Sequence, residues 1–336
     1  MMRRITVLLI GMALISSLFA GRYAGDFMEI GSGIKSISMG GAYTSIADEG
    51  SAIYWNASGI AQIRDNQVFA MRAFLYNGLA SYDNISYCHA LPNGVTIGAN
   101  WTRLTIDDIP IFSESHLVGT NIDQRSAFAE LQLTAIPDGK FKSTDDLFQF
   151  AFAKHIHQDA DLGWYLFVLP IDYYLGINFK YIKRQMFEYS GDGTGFDASF
   201  LLKTNLGVLI DQEWMGTIAT GMNIQDISGT NITWDTQSRH QDEILFNTKF
   251  GISYNQPLPA LESDFTIAYD KDFVYDKTDH FGAEFNYKNK AQLRMGVYDG
   301  NFAAGVGLLL SRVDVDYAFV TNNLGNTNRV GLTYKF

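Results

Sequence analysis

The chain ends in the stretch Arg329-Val330-Gly331-Leu332-Thr333-Tyr334-Lys335-Phe336, and this stretch decides the fold. Apolar side chains occupy every even position, and polar or small side chains occupy every odd position. A period of two is the signature of a β-strand that has one apolar face and one polar face. We therefore predict a strand that runs to the last residue.

The same alternation recurs upstream, in 312–319, 280–287 and 291–298. Short turn sequences such as Lys288-Asn289-Lys290 separate these segments. The charges collect on one face, which includes Arg294, Arg312, Asp314, Asp316, Arg329 and Lys335. This part of the chain is predicted to be a series of antiparallel strands.

Weaker alternation extends the pattern back to residue 67. The further predicted strands are 67–76, 80–90, 94–106, 145–157, 171–186, 195–204, 214–227, 244–254 and 262–272. The longest predicted connections are about 107–122, about 187–194 with its glycine-rich run, and about 228–242. Most of the strands reach the nine to eleven residues that a tilted membrane strand needs.

The first twenty residues predict export. Arg3 and Arg4 precede an apolar run from Ile5 to Phe19 that ends at Ala20. This run is too short to span a bilayer as a helix, and its layout is that of a cleaved signal peptide. No cysteine follows it as a lipid acceptor. Loss of the two arginines makes the net charge of −11 two units more negative, which argues against a nucleic-acid partner.

Alternation and composition do not by themselves separate a secreted soluble β-sandwich or solenoid from a membrane barrel, so the signal peptide, the strand lengths and the final residue decide between them. Aromatic residues make up 14% of the chain, with only 6 Pro. The aromatic Phe336 at the end of the last strand looks like the assembly signal that outer-membrane barrels present to the barrel assembly machinery. We expect an all-β, transmembrane antiparallel barrel of about 14 strands (12–16), formed by residues 64–336 and surrounded by outer-membrane lipid.

Residues 21–63 do not alternate and are rich in glycine. The segment contains Gly31-Ser32-Gly33, Met39-Gly40-Gly41-Ala42, Ala47-Asp48-Glu49-Gly50 and Tyr54-Trp55-Asn56-Ala57-Ser58-Gly59. This series resembles the opening of the PorV/PorQ family, which is itself similar to FadL-type barrels. The family usually has Asn-Pro-Ala-Gly where this chain has Asn56-Ala57-Ser58-Gly59. The closing stretch 324–336 resembles the family's last strand, with Asn328 where a His is common.

The resemblance implies a FadL-like barrel of fourteen strands whose N-terminal segment folds inward as a plug, or hatch. The residues that carry the plug motif are Gly31, Gly33, Met39, Gly40, Gly41, Asp48, Trp55, Asn56 and Gly59. We expect the polar groups of the plug to meet the inward-facing charges of the wall.

The sequence contains no motif that predicts catalysis or a cofactor. Neither a Gly-x-Ser-x-Gly elbow nor a His-Glu-x-x-His pair is present. His155-x-His157 has the spacing of a metal pair but lies near a predicted strand end, where interfacial polar residues are common. The lone cysteine, Cys88, is expected to be a small buried side chain.

Two functions follow from the resemblance. The favoured one is a type IX secretion-linked component that handles secreted proteins at the surface together with secretion-system subunits, as PorV does. The alternative is a FadL-like transporter of hydrophobic small molecules, and a purely structural barrel remains as a third hypothesis. The first predicts polar docking loops, and the second predicts an apolar pocket between plug and wall.

Overall fold

The computed structural model describes residues 25–118, 131, 135–161, 163, 168–212, 214–273 and 278–336. The described strands are β1 Gln67–Leu75, β2 Ala80–Leu91, β3 Val95–Ile111, β4 Gly139–Asp161, β5 Val168–Met186, β6 Tyr189–Asn205, β7 Thr217–Gln225, β8 Thr230–Trp234, β9 Gln241–Ile244, β10 Asn247–Leu258, β11 Ser263–Asp272, β12 Asp279–Tyr287, β13 Ala291–Tyr298, β14 Asn301–Leu310, β15 Val313–Val320 and β16 Thr327–Lys335. The predicted leader lies outside the described residues.

Fourteen of the described strands form a closed antiparallel ring. The order runs from β5 through β4, β3, β2, β1 and β16 down to β10, then to β7 and β6. Pairing of β5 with β6 closes the ring. The remaining two strands, β8 and β9, form a hairpin that attaches to β6. The predicted fold class and strand number are confirmed.

The outer surface of the ring is apolar over most of its area. Exposed side chains include Phe150, Ile177, Phe196, Leu293 and Met295. A continuous exposed apolar belt is stable only where lipid covers it, because water would have to hydrate it. The belt therefore faces a bilayer. Within the described residues, no helix combines the length and the apolar character that a membrane crossing requires.

The two ends of the barrel differ. The upper end carries the two longest connections, 112–138 and 226–246, and the lower end carries Phe336 and mostly short turns. Outer-membrane barrels have short periplasmic turns and longer extracellular loops, so the upper end corresponds to the cell exterior. β3 to β6 have 17 to 23 residues and exceed the length that a tilted membrane strand needs.

The sequence analysis predicted a connection near 187–194 that includes the glycine-rich run 191–195, and this prediction is wrong for the run. These residues belong to β6, because the chain turns at 187–188. The odd-numbered glycines face inward against the β8–β9 hairpin, where an ideal Cβ on Gly193 would lie 2.6 Å from the carbonyl oxygen of Asn231. The predicted connection near 228–242 likewise contains that hairpin. β3 also continues to Ile111, beyond its predicted end.

Residues 25–63, called the plug from here on, lie inside the barrel and supply nearly half of its buried apolar core. Ile34, Met39, Tyr43, Ile53 and Ile60 are at most 1% exposed. Three short helices shape the plug: α1 Asp26–Glu29, α2 Ile34–Ser38 and α3 Ala52–Trp55, followed by a 3₁₀ turn at Ala57–Gln62. A fourth helix, α4 Leu206–Ile210, lies in the β6–β7 connection. The molecule is thus a barrel folded around its own N-terminal segment.

Candidate functional site: the plug and the cavities beside it

The motif residues of the plug hold its own backbone in shape. Gly31 and Gly33 have φ of 75° and 91°, values that favour glycine. The indole N–H of Trp55 donates to the carbonyl of Ser32. The Asn56 amide donates to Thr44 O at 2.7 Å, and its oxygen accepts from the Ser58 backbone N–H. Gly59 packs directly on the backbone of Ala47.

The Met39-Gly40-Gly41 turn lies against β12 and β13. Met39 is fully buried, and Gly40 has a φ of 66°. An ideal Cβ on Gly40 would lie 2.6 Å from the Val297 backbone nitrogen, so no side chain fits there. His280 makes a 2.7 Å hydrogen bond to the Gly40 carbonyl and also borders Gly41.

The wall holds the plug through hydrogen bonds to backbone groups. One carboxylate oxygen of Asp270 on β11 accepts from the Tyr43 and Thr44 N–H groups at 2.8 and 2.6 Å. Asn223 on β7 donates to the Trp55 carbonyl at 2.8 Å, and Ser199 on β6 accepts from the Ser58 N–H at 2.8 Å. These contacts satisfy buried groups that the irregular plug backbone leaves open.

Arg329 is the wall cation that touches the plug backbone directly. Its guanidinium donates to the carbonyls of Gly31 and Ile30 at 2.5 and 2.8 Å. The residue is 3% exposed, and each of these bonds is charge-assisted. It ties the start of α2 to the last strand of the barrel.

An ion-pair chain joins plug to wall lower in the lumen. Arg294 pairs with Glu284 at 2.6 Å and with Asp316 at 2.7 Å. Lys35 of the plug lies 3.7 Å from Glu284 and 2.8 Å from Asp48. Although burial opposes its charge, Asp48 and Glu284 raise the pKa of Lys35, which therefore stays protonated. Burial also disfavours the Asp48 charge, but Lys35 keeps the pKa of that carboxyl below its ordinary value.

Three of the expected lumen charges lie away from the plug. Asp314 and Lys335 form a 2.6 Å ion pair near the lower rim. Arg312 lies exposed in the two-residue turn between β14 and β15. It is outside both strands, so the alternation of strand faces does not apply to it. Phe336 is half-exposed at the lower rim and stacks on Tyr334 and Tyr87.

Among the described residues, no cation lies within ion-pair distance of the Glu49 carboxylate of the plug. It accepts from the Ser51 hydroxyl at 2.8 Å. Burial, together with the negative charges of Asp316 and Asp48, raises the pKa of Glu49 to about 7. Glu49 therefore changes charge near neutral pH.

A lower cavity of about 530 Å³ lies between the plug and the lower end. Its lining is mainly polar: Lys35, Asp48 and Gln62 from the plug face Asp172, Lys203, Asn255, Asp264, Thr266 and Asn286 from the wall. His155 and His157 both face this half of the lumen and share one carboxylate oxygen of Asp172, at 2.7 and 2.9 Å. In the described residues no group of three metal-ligating side chains is assembled.

An upper cavity of about 240 Å³ lies between α1 and the wall at the upper end. Ile30, Leu75, Tyr76, Tyr298 and Val320 form its apolar side. Asp26, Glu29, Asp299, Asn301 and Arg329 form its polar rim. Asn322 and Thr327 also line it, so the larger part of its lining is polar. The plug thus separates two cavities, each with a mainly polar lining and some apolar side chains.

Sequence reasoning missed the wall residues that receive the plug. Asp270, His280, Asn223 and Ser199 lie in strands that were predicted, but their roles depend on a partner more than 140 residues away. Glycine at inward-facing positions of the strands was the one feature of the sequence that could have indicated where the wall receives the plug. An ideal Cβ on Gly296 would lie 2.1 Å from the Met39 carbonyl carbon, a close approach of two backbones.

No family model and no curated protein matches the chain, whereas several solved structures do. The Ralstonia pickettii toluene transporter TbuX is 12% identical over 91% of this chain and 98% of its own, with a TM-score of 0.50. The P. putida toluene transporter TodX is 10% identical over 91% and 99%, also with a TM-score of 0.50. The CymD monoaromatic hydrocarbon channel is 9% identical over 91% and 98%, with the same TM-score.

These likenesses show the fold. The barrel architecture itself indicates an outer-membrane location. The shared fold agrees with the barrel that the sequence resemblance predicts. The PorV/PorQ part gains no support of its own from them.

Proposed function

We propose that this chain is a gated outer-membrane channel of the FadL type, with the plug as its gate and small, largely apolar solutes as its cargo. The upper cavity carries this proposal. It lies at the exterior end, its volume suits a single small molecule, and Ile30, Leu75, Tyr76, Tyr298 and Val320 give its otherwise polar lining an apolar side. Small-molecule sites commonly combine such a surface with a few polar groups.

Two further observations support a gate. The plug closes the space between the upper and lower cavities, so cargo has to displace part of it. The wall holds the plug mostly through hydrogen bonds to backbone groups and a short chain of ion pairs. Such contacts can open and re-form as a set. The proposed class of cargo is taken from the structurally similar proteins, which are named as transporters or channels of toluene and monoaromatic hydrocarbons.

A larger side chain in the upper cavity tests whether solutes enter the channel there. Val320 is 3% exposed and lines this cavity, whereas Val315, on the same strand, faces lipid and is 43% exposed. We expect Val320→Phe to slow the initial uptake of labelled toluene by cells several-fold, and Val315→Phe to leave it unchanged. Equal uptake by both variants and the wild type would refute the cavity as an entry site.

The secretion-linked function rests on the sequence resemblance alone. Co-purification from native outer membranes, with mass spectrometry of bound proteins and bound small molecules, separates the two. Stoichiometric secretion subunits or secreted substrates would favour the PorV-like function over the channel.

A further inference from the structure

The outer wall carries a row of charges in directly opposite register across six strands, called the outer charge rung. Its members, from β1 to β6, are Arg72, Asp83, Arg103, Asp146, Lys183 and Asp192. All six stand on the lipid side of the barrel by the alternation of burial along their strands. On the other side of Arg72 the same register continues through apolar side chains: Val330, Tyr317, Val306, Leu293 and Phe285.

The middle of the rung is neutralised within the protein. Arg103 donates two hydrogen bonds to Asp146, at 2.7 and 2.9 Å, and Trp101 donates a third at 2.8 Å. The Asp146 side chain is only 8% exposed. These residues need no ligand.

Arg72 is different. Its side chain is 55% exposed, and its ion-pair partner in the described part of the chain is Asp83, at a loose 3.6 Å. Its neighbours on the same face, Phe74, Ile85 and Val330, are each close to half-exposed within the apolar belt. An arginine at such a position costs free energy unless its donors are satisfied.

A groove of about 540 Å³ runs along the outer wall from Arg72. Ala70 and Gly331 form its shallow floor because neither has a side chain beyond Cβ. Ile85, Trp101, Val330 and Leu332 form its sides. Asp83, the loose partner of Arg72, also lines the groove. The site therefore has one accessible guanidinium with this carboxylate beside it, and an apolar trough that opens toward the bilayer.

We propose that this groove binds a membrane lipid with an anionic phosphate headgroup. The guanidinium of Arg72 receives the phosphate through two parallel N–H donors, and one acyl chain lies in the trough between Trp101 and Leu332. Arginine geometry matches phosphate oxygens in this bidentate way. The occupant is a lipid because the groove opens onto the bilayer, and the upper position of Arg72 on β1 places the headgroup in the outer leaflet.

The purified full-length barrel, titrated with phosphatidylglycerol and with zwitterionic phosphatidylcholine, tests the site by native mass spectrometry. We expect one phosphatidylglycerol to bind more tightly than the rest, and Arg72→Gln to weaken this binding about tenfold, the effect of losing charged hydrogen bonds. Lys183→Gln is the matched control, since it removes a cation of the same rung outside the groove. Asp83→Asn should strengthen binding because it frees the guanidinium.

Ala70→Leu fills the trough and leaves Arg72 in place, so it should also weaken lipid binding. An excess of inorganic phosphate should not displace the lipid, because the acyl chain in the trough adds to the binding, and displacement by phosphate alone would contradict the proposed lipid site. Equal lipid affinity of the wild type and Arg72→Gln, or an equal loss in Lys183→Gln, would overturn the proposal. So would a protein partner that occupies this face in place of lipid.

Discussion

At the scale of single residues, the plug depends on a few wall side chains that bond to its backbone. Asp270 is the sharpest case, because one of its oxygens accepts from two consecutive buried N–H groups. Asp270→Ala leaves both donors unpaired and should destabilise plug docking by about 3 kcal/mol. We expect frequent channel opening in planar bilayers. Asp279→Asn, at the exposed end of β12, is the control and should behave like the wild type.

Glu49 makes the docked plug sensitive to pH. Its pKa is raised to about 7 when the plug is docked, from an ordinary 4.5. A raised carboxyl pKa favours the protonated, docked form, so the stabilisation is complete below about pH 4.5 and is lost as pH rises through 7. Lys35 and Arg294 oppose this shift, and Asp48 and Asp316 reinforce it.

We therefore expect more channel opening at pH 8 than at pH 5.5. The variant Glu49→Gln should remove most of this difference. Bilayer conductance measured over this range gives the answer, and a wild type that opens more at acid pH would contradict the assigned sign.

At the scale of elements, strict alternation was a sufficient signal for the strands near the C-terminus. Alternation did not predict the strand at Gly191 and Gly193, because glycine has no side chain that could mark an apolar face. Glycine at every second position was itself a strand pattern, required here by close approach of β8 to β6. The inward direction of His155 and His157 was also missed, because a lumen-facing polar pair and an interfacial pair have the same sequence.

The β8–β9 hairpin covers the start of the plug at the upper end. Ile232 and Ile244 are buried, and Ile244 contacts Gly25. Arg184 lies 5.8 Å from the ring of Phe27 and 5.9 Å from that of Trp234, and so connects plug and hairpin.

Replacement of 230–244 by a short Gly-Ser turn should leave the fourteen-strand ring assembled, because these strands are not part of it. We expect the N-terminal end of the plug to become accessible to added protease in intact cells. A plug as resistant as that of the wild type, or a barrel that fails to assemble, would show that the hairpin has a different role.

At the scale of the whole molecule, the sequence was enough to predict a closed membrane barrel, because the period of two, the strand lengths and the lack of long apolar helical runs all agree. It was not enough to predict how the plug docks. That docking depends on pairs such as Gly296 with Met39 and Asp270 with Tyr43, which are far apart in the chain and have no local signature.

The central claim is that the plug docks in the lumen and gates the channel. An ideal Cβ on Gly331 would lie 2.7 Å from the Ile34 Cγ1 atom, and this atom is bonded directly to the Ile34 Cβ. Cysteines at these two positions would therefore meet within the range of a disulfide, about 3.5–4.5 Å between Cβ atoms. Cys88→Ala removes the native thiol, which is buried.

The decisive measurement is toluene uptake by cells that carry Ile34→Cys and Gly331→Cys in the Cys88→Ala background, before and after reduction. We expect the disulfide to form on export, to suppress uptake to the level of barrel-free cells, and to release uptake when reduced. Failure of the disulfide to form in a folded barrel, or uptake that is equal in both redox states, would contradict the gated-channel account.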